Sequence, residues 1–249
     1  MNNKLLNFLY LLCLYLACQL LPYEKMVTAS YQQMLIKSLF LGVCLGFCIY
    51  EYIKDKNKVI KHSNIKNLLI SLPLLIGGLS NILYGLFFKE NIVINFQIST
   101  FITELLILII SVIIEEFLFR IILIDYLQNI IKAKYKNILV ILISSFAFSL
   151  MHAINFFGNS PINVLIQMGY TFILGIVLSI LTISIDGLIL PIIGHFIFNF
   201  FNTALFNILF DFEINWKYIL FSCGIGVFCL AYSLVIYYLK TRRGNTDAS

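Results

Sequence analysis

Eight stretches of this 249-residue chain are apolar for about as long as a bilayer is thick, and that repetition limits the fold before any motif is read. A helix needs about 20 such residues to cross the hydrocarbon. The stretches are 4–21, 31–50, 68–88, 98–124, 137–155, 163–184, 188–210 and 218–239. No polar block between them is large enough for a soluble domain. Only 12% of the residues are charged, about half the soluble norm. The expectation is all-α: a polytopic transmembrane helical bundle of about eight spans, one integral membrane domain over residues 1–249 with its motif core at 98–210.

The first stretch is not read as a signal peptide. Its apolar core runs through Leu21, too long for an h-region, and no A-x-A site follows. The six cysteines (13, 18, 44, 48, 223 and 229) all fall within spans and form no C-x-x-C pair. That usage argues against disulfides or a thiolate metal site and for small apolar packing. Gly42 to Gly46, GVCLG, is a small-xxx-small face, expected to pack within the chain.

The net charge of +5 follows topology and carries no nucleic-acid signal. Lys54, Lys56, Lys58, Lys61 and Lys66 crowd the second loop, with His62 among them; Lys132, Lys134 and Lys136 fill the fourth; Lys240, Arg242 and Arg243 follow the last span. The alternate loops hold Lys25, Lys89 and Lys217. With an even number of spans, positive-inside puts both termini in the cytoplasm of a multi-pass cell-membrane protein.

Few carboxylates, arginines and histidines lie inside spans: Glu104, Glu115, Glu116, Arg120, His152 and His195. Three of them crowd SVIIEEFLFRII, residues 111–122. Insertion scales charge roughly 8–10 kcal/mol for three ionised groups at mid-bilayer, so something must offset the cost. Helix geometry divides them. Glu116 and Arg120 are four apart, about 40° from one another, and can pair. Glu115 points about 140° away from Arg120 and must find its partner on another helix. Glu104 lies within roughly 20° of the Glu115 face but about 16 Å away along the axis, and is expected nearer the outer interface.

Phe148 and His152 share a helix face by the same spacing of four, as do His195 and Asn199, with Gly194 leaving room beside the second histidine. A carboxylate, two imidazoles and an amide suit hydrolysis by water. Glu115 serves as general base and His152 holds the same water or shuttles its proton. His195 and Asn199 donate to the oxyanion on a scissile carbonyl. No G-x-S-x-G or catalytic-looking cysteine competes, and Ser144, Ser145 and Ser149 are expected to bond backbone.

EEFLFR (Glu115, Glu116, Arg120), FSLMH (Phe148, His152) and HFIFN (His195, Asn199) resemble the motifs E-E-x-x-x-R, F-x-x-x-H and H-x-x-x-N. Those belong to the CPBP family (CAAX protease and bacteriocin-processing, or Abi) of intramembrane endopeptidases, which includes the Rce1-type proteases. The resemblance implies motifs facing a central catalytic cavity. It also implies Glu115 and His152 activating water, His195 and Asn199 stabilising the oxyanion, and Glu116, Arg120 and Phe148 in support.

The family is often labelled metalloprotease. Glu115, His152 and His195 could supply three zinc ligands with an open position for water. Against zinc, H-E-x-x-H is absent and no carboxylate behind either histidine is evident. The metal-free glutamate mechanism, without cofactor, is the expectation. The partner is a peptide or membrane-protein substrate within the lipid bilayer, and nothing in the residues argues for prenylation. Richness in Ile, Lys and Asn suggests a bacterial source. Two other classes remain: a non-catalytic immunity or scaffold protein, and a transporter with a buried Glu/His relay, which would predict internal repeats that are not seen.

Overall fold

The computed structural model describes residues 3–21, 30–54, 71–88, 94, 96–185, 187–205, 209 and 215–246. Most of the basic second loop, residues 55–70 with His62, lies outside them, as do Lys25, Lys89 and the side chains of Lys54, Lys240, Arg242 and Arg243. Much of the charge pattern behind the expected orientation therefore falls beyond the described residues.

Regular structure among the described residues is helical throughout: α1 (Asn3–Leu20), α2 (Ser30–Lys54), α3 (Leu72–Gly78), α4 (Ser80–Phe87), α5 (Ile98–Glu116), α6 (Ile124–Ile130), α7 (Lys136–Met151), α8 (Pro161–Ile185), α9 (Ile189–Asn199) and α10 (Trp216–Thr246). Among the described residues, four helical stretches are long and apolar enough to cross a membrane: Tyr31–Glu51, Lys136–Phe157, Pro161–Ser184 and Trp216–Leu239. Lys4–Leu20 and Ile189–Asn202 are shorter apolar helices. Large apolar side chains such as Leu39, Phe146 and Leu165 stay exposed, as lipid-facing residues do.

Four expected spans are irregular, and each irregularity has a polar cause or companion. The 68–88 stretch is broken at Leu79 into α3 and α4. Gly77 and Gly78 lie just before the break, against α9. A Cβ on Gly78 would stand 3.2 Å from the Phe198 backbone. The Gly77 carbonyl accepts from Ser80 Oγ at 2.7 Å and from Asn202 Nδ2 at 2.9 Å. Hydroxyl and carboxamide thus supply what a continuous helical ladder would.

The 98–124 stretch leaves α-geometry after Glu116, runs as a π-helix over Phe117–Leu123, and continues as α6 to Ile130, six residues past its expected end. Ser144 Oγ donates to the Phe119 carbonyl of that wider turn at 3.0 Å. A π-helical turn, Phe200–Leu205, also follows Asn199. The 137–155 stretch tightens into a 3-10 helix, His152–Phe157, so the histidine opens that turn. Such breaks in regular geometry are frequent at functional sites.

α7 and α8 form the most extensive helix pair, and α8 also packs on α9 and α10. Gly175 allows the α7 approach: a Cβ there would meet Ser145 Cα and Cβ at 3.0 Å and Phe148 Cδ1 at 3.3 Å. Gly194 is closer still to a neighbour, with Leu74 Cδ1 2.2 Å from its Cβ position. By contrast, Gly42 and Gly46 meet nothing within 4 Å among the described residues. The GVCLG face is therefore not the intrachain packing surface its spacing suggests; Cys44, between them, turns inward instead. The cysteines are free thiols. Ser145 and Ser149 bond the carbonyls of Ile141 and Met168, as expected of serines in lipid.

The two glycine environments can be told apart by substitution. Gly175→Val pushes against the backbone of α7, which cannot yield as a side-chain tip can, and is expected to cost about 1–3 kcal/mol by overpacking. Gly42→Val meets open space and should leave the detergent melting temperature nearly unchanged. Equal melting temperatures for the two variants would refute the close α7–α8 contact.

Candidate active site

Glu116 is the most enclosed carboxylate among the described residues, with no solvent exposure. Its Oε2 accepts from Arg120 Nε at 3.2 Å, the pair that their spacing of four allows. Arg120 Nη1 donates to Ser144 Oγ at 3.3 Å and to Ser179 Oγ at 3.2 Å, which ties the π-helical turn to α7 and α8. The guanidinium carbon also stands 5.0 Å over the Phe148 ring. Arg120 is therefore held by an ion pair, two hydroxyls and a ring face, a set that repays much of its burial.

Glu116 does more than its spacing foretold. Its Oε1 accepts from His195 Nδ1–H at 2.9 Å, across 79 residues. A carboxylate acceptor means that Nδ1 carries the proton, so the neutral ring has its lone pair at Nε2. Asn199 Nδ2–H points at that nitrogen at 3.1 Å. The carboxylate that the sequence lacked behind this histidine is Glu116. His195 and Asn199, expected to donate side by side, here bond each other.

Glu115 leaves the same helix in another direction. Its Oε1 accepts from the Tyr15 hydroxyl of α1 at 2.6 Å. Its Oε2 faces His195 Nε2 at 3.7 Å, beyond hydrogen-bond length. The two consecutive glutamates thus approach opposite nitrogens of one imidazole, one bonded and one standing off. His152 is held separately, its Nδ1–H donating to the Phe148 carbonyl at 3.0 Å. Phe148 joins the group: its ring makes edge contacts to His152 at 5.2 Å, His195 at 5.6 Å and Phe119 at 5.3 Å between centroids.

The zinc set does not assemble. Among the described residues no three His, Cys, Asp or Glu side chains gather where they could hold a metal ion. Glu115, His152 and His195 therefore do not fit as a ligand triad in this arrangement. Glu104 is half-buried on α5 and does not line the cavity described next.

Residues 97–201 match the family model described as type II CAAX prenyl endopeptidase Rce1-like. That segment is similar to the Rce1-like family. The resemblance read from the three motifs is borne out, and the family is one of proteases. Kinship and apolar helices together make the chain a membrane protein. No curated protein and no solved structure matches it.

A cavity of about 740 Å³ lies between α3, α4, α8, α9 and α10, partly inside the Rce1-like segment. Of the motif residues only Asn199 lines it. This cavity is therefore not one that every motif faces, and Glu116, Arg120 and His195 are buried among packed helices. Carboxamides mark its wall: Asn155, Asn159, Asn163 and Gln167 recur every four residues and all line it. Asn155 Nδ2 donates to Gln167 Oε1 at 2.7 Å. That period is legible in the sequence. Tyr15, Ser144 and Ser179 had no such signal, since each reaches the cluster only through helix packing.

The two glutamates should behave differently when neutralised. Glu116→Gln leaves Arg120 as an uncompensated buried charge, a loss of about 3–5 kcal/mol, and should lower folded yield and melting temperature sharply. Glu115→Gln keeps an acceptor oxygen for Tyr15 and should keep both. Equal losses in the two variants would refute this division.

Proposed function

We propose that the chain is an intramembrane endopeptidase that hydrolyses a peptide or membrane-protein substrate with water activated by Glu115. The observation that carries this reading is the posture of Glu115, with one oxygen held by Tyr15 and the other turned toward His195 and, through it, Asn199. The Rce1-like segment supports the reaction class. In this reading the chain is an eight-span bundle with both termini in the cytoplasm, and the 740 Å³ cavity receives the substrate. Its size suits a ligand pocket, and carboxamides pair with both the N–H and C=O groups of an extended peptide.

The chemistry follows from the hydrogen bonds. Glu115 Oε2 takes a proton from water, and the hydroxide adds to the scissile carbonyl carbon. The new oxyanion draws the Asn199 amide away from His195 Nε2. With Nδ1–H committed to Glu116 and Nε2 bare, His195 holds the Asn199 amide in place before it turns to the oxyanion. His152 presents Nε2 because Nδ1–H is held by Phe148, so it can accept the water's other hydrogen or relay a proton. Collapse of the tetrahedral species returns the proton from Glu115 to the leaving amine, which restores the carboxylate. Glu116 and Arg120 keep the imidazole and the π-helical turn in register, and no step is assigned to a metal.

The test is the purified chain in lipid nanodiscs, incubated with a library of membrane-segment peptides, with and without a chelator. Glu115→Gln should reduce cleavage to background while folding normally. Asn199→Ala should lower kcat by about 10²–10³, the usual cost of one oxyanion donor. Chelator should leave turnover unchanged. Cleavage by Glu115→Gln at the parent rate would overturn the assignment of the base, and loss of turnover with chelator would overturn the metal-free route.

A further inference from the structure

The N-terminal helix lies outside the Rce1-like segment, yet it reaches the centre of the site. Phe8, Leu11, Tyr15 and Cys18 form its buried stripe, at helical spacing. An ordinary aromatic residue in such a stripe would bury its ring and send its hydroxyl to the nearest carbonyl. Tyr15 instead spends its hydroxyl on Glu115 Oε1, 100 residues away, at 2.6 Å, while the side chain is 3% exposed.

The register of α1 is fixed elsewhere, so this contact is not left to chance. Lys4 pairs with Asp125 in the first turn of α6, Asn7 Nδ2 donates to Glu51 Oε2 at 2.6 Å, and the Phe8 ring meets Phe119 edge-on at 5.7 Å. Those contacts dock α1 on α2 and on the turn that carries Arg120. Tyr15 then has no need to anchor the helix.

A carboxylate that acts as base needs one oxygen held and the other presented. A glutamate side chain has three rotatable torsions, and a buried one without a partner has no single orientation. Arg120 Nε and His195 Nδ1 both bond Glu116, while Glu115 takes its donor from another helix. We propose that Tyr15 is a positioning residue for Glu115: its hydroxyl holds Oε1 and so turns Oε2 toward His195 and the reacting water. The proposal rests on the protease reading, and it makes α1 part of the site although the Rce1-like segment begins at residue 97.

Tyr15→Phe in the full-length chain tests it, because the change removes one oxygen and keeps the ring. On a peptide that the parent protein cleaves, kcat should fall about 10- to 100-fold, the cost of a misplaced catalytic group, with KM and melting temperature unchanged. Lower melting temperature with kcat unchanged per folded molecule would show a structural role and overturn the proposal. Coupling gives a second reading. Glu115→Asp draws the carboxylate back from the hydroxyl, so adding Tyr15→Phe to that variant should cost little more; full additivity would overturn the link.

A third reading needs no substrate. Dicyclohexylcarbodiimide, an apolar reagent, modifies buried carboxyl groups, and mass spectrometry reports the site. Tyr15→Phe uncovers Oε1 and should raise labelling at Glu115 severalfold, with Glu116 unchanged as the internal control. Equal labelling at Glu115 in both proteins would overturn the proposal. If the parent protein cleaves no peptide while the labelling changes as stated, the protease reading fails and the Tyr15–Glu115 bond stands.

Discussion

One buried carboxylate holds this site together. Glu116 accepts from Arg120 with one oxygen and from His195 with the other, and has no solvent exposure. Remove it, and an arginine on one helix and an imidazole on another lose their common anchor together. Everything nearby takes its geometry from that pair of bonds. The tautomer of His195 follows from it, and so does the availability of Nε2 to Asn199 and Glu115. Arg120 in turn reaches Ser144 and Ser179, so the same carboxylate indirectly registers α7 and α8 against the π-helical turn.

A cluster of this kind is expensive in lipid, and the fold meets the cost by spending hydroxyls and amides on the backbone and on one another. Ser144 serves the Phe119 carbonyl of one π-helical turn. Asn81 Nδ2 serves the Asn202 carbonyl in the other at 2.9 Å, while Tyr218 donates to Asn81 Oδ1 at 3.0 Å. Irregular backbone at membrane depth persists only where such partners exist. The irregular turns begin right after Glu116 and right after Asn199, so the residues with chemistry sit where the helices change pitch.

Burial also separates the chemistry from access. Glu116, Arg120 and His195 are packed away, while Asn199 touches both the imidazole and the cavity. One carboxamide therefore stands between the sealed cluster and the space a peptide would occupy. In the proposed mechanism it changes partner, from an imidazole nitrogen to an oxyanion, and the other members need move little. A preorganised site of that design suffers little reorganisation during reaction.

The sequence by itself determined the helical class, the membrane setting and the three local pairs, because these depend on composition and on a helical pitch that every segment shares. Glu116 with Arg120, Phe148 with His152 and His195 with Asn199 are each four residues apart, and each pair meets. The geometry also required Glu115 to look to another helix. Which helix it would be, and that Glu116 would serve two donors, only the tertiary structure decided. The division of the 68–88 stretch, the switch to π-geometry after Glu116 and the reach of the cavity, among the motif residues, to Asn199 alone belong to the same class. These depend on how closely helices distant in sequence approach, which is set by Gly78 against Phe198, Gly175 against Ser145 and Gly194 against Leu74. Pitch is a property of each segment; the register between segments exists only once they are packed.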